Sequence, residues 1–167
     1  YRGPRPWPIE YSNEIHINSL GLRGQEIGGQ GEDAYRILFL GDSMVAGFEV
    51  AEHETLSTRV QEKLKASLPF KVETINAAVR GYGTDQSYLY YKLRGHHLEP
   101  DLVLFLHSTN DLRNNMTLHQ MRRLFGKGVF ALQPDGKLVQ KGLPVPAYPL
   151  CSVVAMNERF EVETTDT

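Results

Sequence analysis

Cysteine is nearly absent: Cys151 is the single one in 167 residues, so no intrachain disulfide can form and no cysteine-based metal site is available. Long apolar runs are missing as well. The longest, residues 102–106, falls far short of the ~20 apolar residues that a membrane-spanning helix needs. The first residues also lack the basic-then-apolar layout of a signal peptide. Nor does charge of one sign dominate, since 18 Lys and Arg stand against 20 Asp and Glu for a formal net charge of -2. That balance favours neither nucleic acid nor an anionic membrane surface. The histidines are scattered, with no helical pair spaced for chelation, so a metal site is not expected. What remains is an ordinary globular composition, 41% hydrophobic and 23% charged, at a length suited to one domain. These absences leave two addresses open, the cytosol or, as the favoured reading, an extracytoplasmic site reached after removal of a targeting segment.

Among the residues that are present, Pro4, Pro6 and Pro8 stand beside Tyr1 and Trp7, which suits an extended arm packed on a surface. Glycines recur in "NSLGLRGQEIGGQG", a loop composition. Residues 1–34 are therefore expected as an arm and loop packed on a domain formed by residues 35–167. The run "YRILFL" at 35–40 predicts a strand buried on both faces. Leu56, Val60, Leu64 and Leu68 recur at helical spacing up to Pro69, predicting a helix over 54–67. Strands are expected again at 71–79 and 101–107, with a helix over 85–94 after Thr84 as N-cap. Strand and helix alternate at roughly 30 to 35 residues per unit, the pattern of βαβ crossovers and a parallel sheet. The fold class is α/β. Beyond it, Met116, Met121, Leu124 and Phe125 predict a third helix, "VFALQPDGKLVQ" a hairpin, and "CSVVAM" a further short strand.

Ligand sites of open parallel sheets lie beyond the carboxyl ends of the strands. Here the three strands lead into "GDSMVAG", "NAAVRGYGTDQ" and "HSTND". Ser43 falls at the turn into the next helix, where a hydroxyl is well placed to attack an acyl carbon. Taken singly, each feature has a plainer reading: Asp42 or Ser43 as a helix cap, Gly81 as a turn glycine, Asn110 as an Asx-turn. Three such clusters on one edge of one sheet point instead to shared chemistry. Asp42, Tyr82 and Asp111 adjoin these positions and are the candidate substrate contacts. "GYGTDQ" lacks the lysine and spacing of a phosphate loop.

In order, "ILFLGDSMVAGFEV", "NAAVRGYGTDQ" and "LFLHSTND" resemble the first three blocks of the GDSL/SGNH esterases and lipases, and "INSLGLRG" upstream resembles the lead-in of some members. The resemblance spans about residues 15–115. It implies a three-layer α/β/α, flavodoxin-like fold with a parallel sheet, here without further βαβ units on the C-terminal side. It also implies Ser43 as nucleophile, with an oxyanion hole formed by the backbone N–H groups of Ser43 and Gly81 and the side-chain amide of Asn110. His107 stands where such proteins often have glycine.

A serine hydroxyl needs a base to take its proton. The family supplies one from an Asp-x-x-His block, yet no Asp or Glu in this sequence is followed by His three positions later. His119 is the sole histidine after Asn110, and neither Asp135 nor Asp166 is suitably spaced from it. Three explanations stand: the chain belongs to a longer protein that holds the base, which is the one favoured; His53 or His107 is recruited; or catalysis is lost and the pocket kept. His96 and His97 are expected at the opposite edge of the sheet. The function expected is hydrolysis of an O-acyl ester, acetyl or another short acyl group on a small molecule or carbohydrate, through an acyl-serine intermediate. The alternative is a non-catalytic binding module built on the same pocket.

Overall fold

The alternation in "AYRILFL" decides the architecture. In the computed structural model, which describes residues 11–28, 33–117 and 126–145, this run is β1 (Ala34–Leu40), the middle strand of a three-stranded parallel sheet. It lies between β2 (Lys71–Asn76) and β3 (Leu102–Phe105), in register Phe39↔Asn76 and Leu40↔Phe105. Side chains of a strand point alternately to opposite faces, so β1 feeds two cores. Ile37 and Phe39 meet Val72, Val45 and the Val60, Leu64 and Leu68 stripe of α2 (Leu56–Ser67). Leu38 and Leu40 meet Ile75, Leu22 and, on the other side of the sheet, Tyr90 and Tyr91 of α3 (Thr84–Leu93) together with Leu98. The expected burial of both faces is found: Leu38 is 0% exposed and Phe39 1%. Helices thus cover both faces of a parallel sheet, the α/β class expected.

Helix α2 begins two residues later than expected. A short 3-10 turn, Glu52–Glu54, precedes it, and Thr55 caps it by accepting the Thr58 N–H at 3.3 Å. Strand β2 ends at Asn76 where 79 was expected, although the Ala77 and Val79 N–H groups still donate to the Phe39 and Gly41 carbonyls at 2.9 and 3.1 Å. Buried charge marks the amino-terminal side of the sheet. Arg36, 4% exposed, donates to Glu73 at 2.7 Å, to the Leu98 carbonyl at 3.1 Å and to the Gly28 carbonyl at 2.7 Å. A guanidinium can be buried there only because its donors are met.

The chain divides into two compact units, one of Tyr1–Tyr82 with Gln86–Ser108, which holds the sheet, and one of Gly83–Asp85 with Thr109–Thr167. In the second, helix α4 (Thr109–Met116) stands with an antiparallel hairpin of β4 (Val129–Leu132) and β5 (Leu138–Lys141), as "QPDGK" predicts. Its turn is closed by the Gly136 N–H on the Gln133 carbonyl at 2.9 Å, with Gly136 at φ 80. Lys127 and Asp85 form a buried ion pair in this unit. Of the residues expected to line a third helix, Met121, Leu124 and Phe125 lie outside the described residues, and Met116 is the last residue of α4, a helix the sequence analysis did not expect. The proline-rich arm and the expected strand in "CSVVAM" lie outside them too.

Candidate active site

The Ser43 turn is built from the residues directly after β1. Gly41 leaves the strand, and Asp42, 2% exposed, adopts extended backbone and caps α1 (Ser43–Ala46), accepting the Met44 N–H on Oδ1 at 2.9 Å. Ser43 is therefore the first residue of a one-turn helix, half-buried, with Met44 beside it 79% exposed. The helix ends at Gly47 in the left-handed region, φ 67, whose N–H closes on the Ser43 carbonyl at 3.0 Å. Gly41 is required for space. A Cβ there would lie 2.7 Å from Val45 Cγ2 and 3.1 Å from the Leu106 carbonyl oxygen.

The second cluster emerges beside the first. The Ala77 N–H donates to the Phe39 carbonyl at 2.9 Å and the Val79 N–H to the Gly41 carbonyl at 3.1 Å, so 77–79 runs along the start of the Ser43 turn. A tight turn comes next, closed by the Tyr82 N–H on the Val79 carbonyl at 3.0 Å, with Gly81 at φ 82. Positive φ at the third residue is the position that a type II turn gives to glycine. Arg80 reaches back to Glu49 at 3.3 Å, joining this turn to the loop after α1. Tyr82 is half-buried. From β3 the chain continues by the Leu106 N–H on the Leu40 carbonyl at 3.0 Å, and His107 is exposed, edge-on to Phe105.

All three strand ends thus open on one edge, and the turns of Ser43 and Gly81 are directly hydrogen-bonded neighbours. Asn110 is the second residue of α4, exposed, and Asp111 is 1% exposed in that helix's first turn; both belong to the second unit. His53 lies exposed in the 3-10 turn before α2. His96 and His97 sit in the turn that leads into the amino-terminal end of β3, stacked with ring centroids 3.8 Å apart. His119 lies outside the described residues. A polar cavity of about 490 Å³ exists elsewhere, along the outer side of β2, lined by Arg23, Glu26, His53, Gln61 and Lys71 among others; neither Ser43 nor Gly81 borders it.

Two residues with work at this site went unassigned in the sequence. Asn76, 5% exposed, donates its side-chain amide to the Val45 carbonyl at 3.1 Å. Arg23, also 5% exposed, donates to carbonyls at the end of the same short helix. Both were invisible to periodicity, because each is a buried polar residue used singly. The one signal was the placement of Arg23 inside "INSLGLRG".

Residues 39–160 match the model of the GDSL-like lipase/acylhydrolase family. The chain belongs to that family. Among solved structures it is similar to AlinE4, described as an SGNH-hydrolase family esterase, at 27% identity over 51% of this chain and 45% of that one, with a TM-score of 0.41. Two alanine variants of that esterase, one replacing an aspartate and one a serine, match at 26% and 25% identity over 52% and 51% of this chain and 46% of theirs, with TM-scores of 0.41 and 0.40. This GDSL-family chain therefore spans under half the length of those structures. No curated protein matches it. No helix among the described residues is long and apolar enough to cross a membrane.

Proposed function

We propose that this protein is a serine ester hydrolase in which Ser43 is the nucleophile. Family membership over 39–160 supports a hydrolase in general terms. The observation that carries the specific reading is the position of Ser43 at the start of α1, bonded through Gly41 and Val79 to the turn that presents Gly81. In this reading Ser43 Oγ attacks the ester carbonyl carbon and gives up its proton to a base. The carbonyl oxygen becomes an oxyanion received by the N–H groups of Ser43 and Gly81 and the carboxamide of Asn110, the alcohol leaves, and water then frees the acid from the acyl-serine. Each preorganised donor in such a hole is typically worth about 10²–10³ in rate. Asp42 serves as the cap that holds the turn, Tyr82 and Asp111 adjoin the reacting groups in sequence, and no cofactor is required. The substrate class proposed is a short acyl ester, acetyl foremost, on a small molecule or carbohydrate.

A second reading is kept for one reason: the sequence contains no Asp-x-x-His. A non-catalytic module would use the same donors to hold an ester, a carboxylate or a glycan. A fluorophosphonate probe together with p-nitrophenyl acetate separates the two. Labelling and turnover by the wild type, both lost in Ser43→Ala, are expected for the hydrolase. A folded wild type that neither labels nor turns over, with a base supplied by the rest of the protein, supports the binder.

A further inference from the structure

A helix of one turn cannot satisfy its own carbonyls, because its closing hydrogen bonds need residues that are no longer helical. In α1 only the Asp42 and Ser43 carbonyls are met from within, by the N–H groups of Ala46 and Gly47 at 3.0 Å each. Asn76 meets the Val45 carbonyl. Arg23 reaches the next ones, the Gly47 carbonyl also accepting the Val50 N–H at 3.1 Å. Arg23 donates from Nη1 to the Ala46 carbonyl at 3.1 Å and to the Gly47 carbonyl, and from Nη2 to the Val50 carbonyl at 2.8 Å. Its Nε is held by Glu52 at 3.1 Å, and its guanidinium lies 5.9 Å from the Phe48 ring centre. A planar fork of five donors suits this array of carbonyls, whereas an ammonium has the charge without the reach.

The segment around Arg23 is itself ordered to deliver it. Asn18 Oδ1 accepts the N–H groups of Leu20 and Leu22 at 3.0 Å each, and its amide donates to the Gln25 carbonyl at 3.1 Å. The Ser19 N–H and hydroxyl both donate to Glu26, at 2.8 and 2.6 Å. Arg23 is then bridged through its backbone to Asn76, the other residue that serves α1. All of this lead-in lies outside residues 39–160, the span of the family match.

From this geometry we infer that Arg23 is a positioning residue for Ser43, and that the lead-in over residues 11–28 is a working part of the site. The inference rests on Ser43 being the nucleophile. Arg23→Lys keeps the charge beside Glu52 and removes the fork. It is expected to slow fluorophosphonate labelling of Ser43 by at least about 10-fold, as displacement of a reacting group by about an ångström does. Amide exchange should quicken in the peptide covering 41–50 and stay unchanged in 35–40. Millimolar methylguanidinium should restore part of the labelling rate to Arg23→Ala, and Arg59→Lys, on the exposed side of α2, should label as wild type does. Labelling of Arg23→Lys at the wild-type rate overturns the inference. So does slower labelling accompanied by equal loss of protection in 35–40, which would mark a residue of general stability only. A wild type that does not label removes the nucleophile reading and this inference with it, an outcome distinct from either of the others.

Discussion

Replacing Gly41 by alanine tests the packing that sets the Ser43 turn. The added methyl would stand 2.7 Å from Val45 Cγ2, 3.3 Å from Val45 Cβ and 3.1 Å from the Leu106 carbonyl oxygen. Val45 is 2% exposed, so its side chain cannot swing into solvent without opening the core. Overpacking of this kind costs about 1–3 kcal/mol. Val45→Ala alone removes two buried methyl groups, roughly 1.6 kcal/mol at about 0.8 kcal/mol each, with a cavity term added. In the double variant the worst contact disappears while those with Val45 Cβ and the Leu106 carbonyl remain. The two losses should then fall short of their sum by about 1 kcal/mol, within the range found for residues in contact. Urea titration followed by circular dichroism reads this directly, since about 2 kcal/mol shifts the midpoint by roughly 1 M when the slope is about 2 kcal/mol/M. Labelling of Ser43, two residues along, should fall in Gly41→Ala and partly return in the double variant. A Gly41→Ala protein that loses under about 0.5 kcal/mol, or losses that add to within about 0.3 kcal/mol, would refute the argument.

Two further outcomes concern charged side chains. Glu73→Ala removes the carboxylate that the buried Arg36 guanidinium bonds at 2.7 Å and is expected to cost about 3–5 kcal/mol in urea titration, whereas replacing both partners by apolar residues of similar volume should cost much less. Hydrogen bonds from the Ser19 hydroxyl and N–H hold the Glu26 carboxyl below the usual glutamate range. Because the folded value is the lower one, that contribution is present above the ordinary glutamate pKa and is lost as pH falls through the lowered value. NMR titration should show the Glu26 pKa rising in Ser19→Ala, and an unchanged value there would contradict this assignment.

The parts of the fold legible in the sequence are those in which one physical rule acts alone. β1 announced itself because burial on both faces leaves no polar position to interrupt "RILFL", apart from Arg36 at its paired end. α2 was visible through a stripe of four apolar residues, and the β4 and β5 hairpin through Pro134, Asp135 and Gly136. The start of α4 was not legible, since "TNDLRNNM" has no apolar stripe and its polar residues also read as a strand-end loop. Within the proposed site, Ser43 and Gly81 could be nominated from a strand-to-helix turn and a glycine. Arg23 and Asn76 could not, because their role is to satisfy carbonyls that only the folded backbone defines.

The alternation of β1 has a consequence for chain length. Ile37 and Phe39 serve one core and Leu38 and Leu40 the other, and Ser43 comes at a fixed count beyond them. Deleting one residue from this strand would exchange the two sets between the faces of the sheet and turn Ser43 to the other side. β1 therefore works as a reading frame: substitutions along it can be graded by size, but an indel of a single residue would disturb both cores and the placement of the Ser43 turn at once.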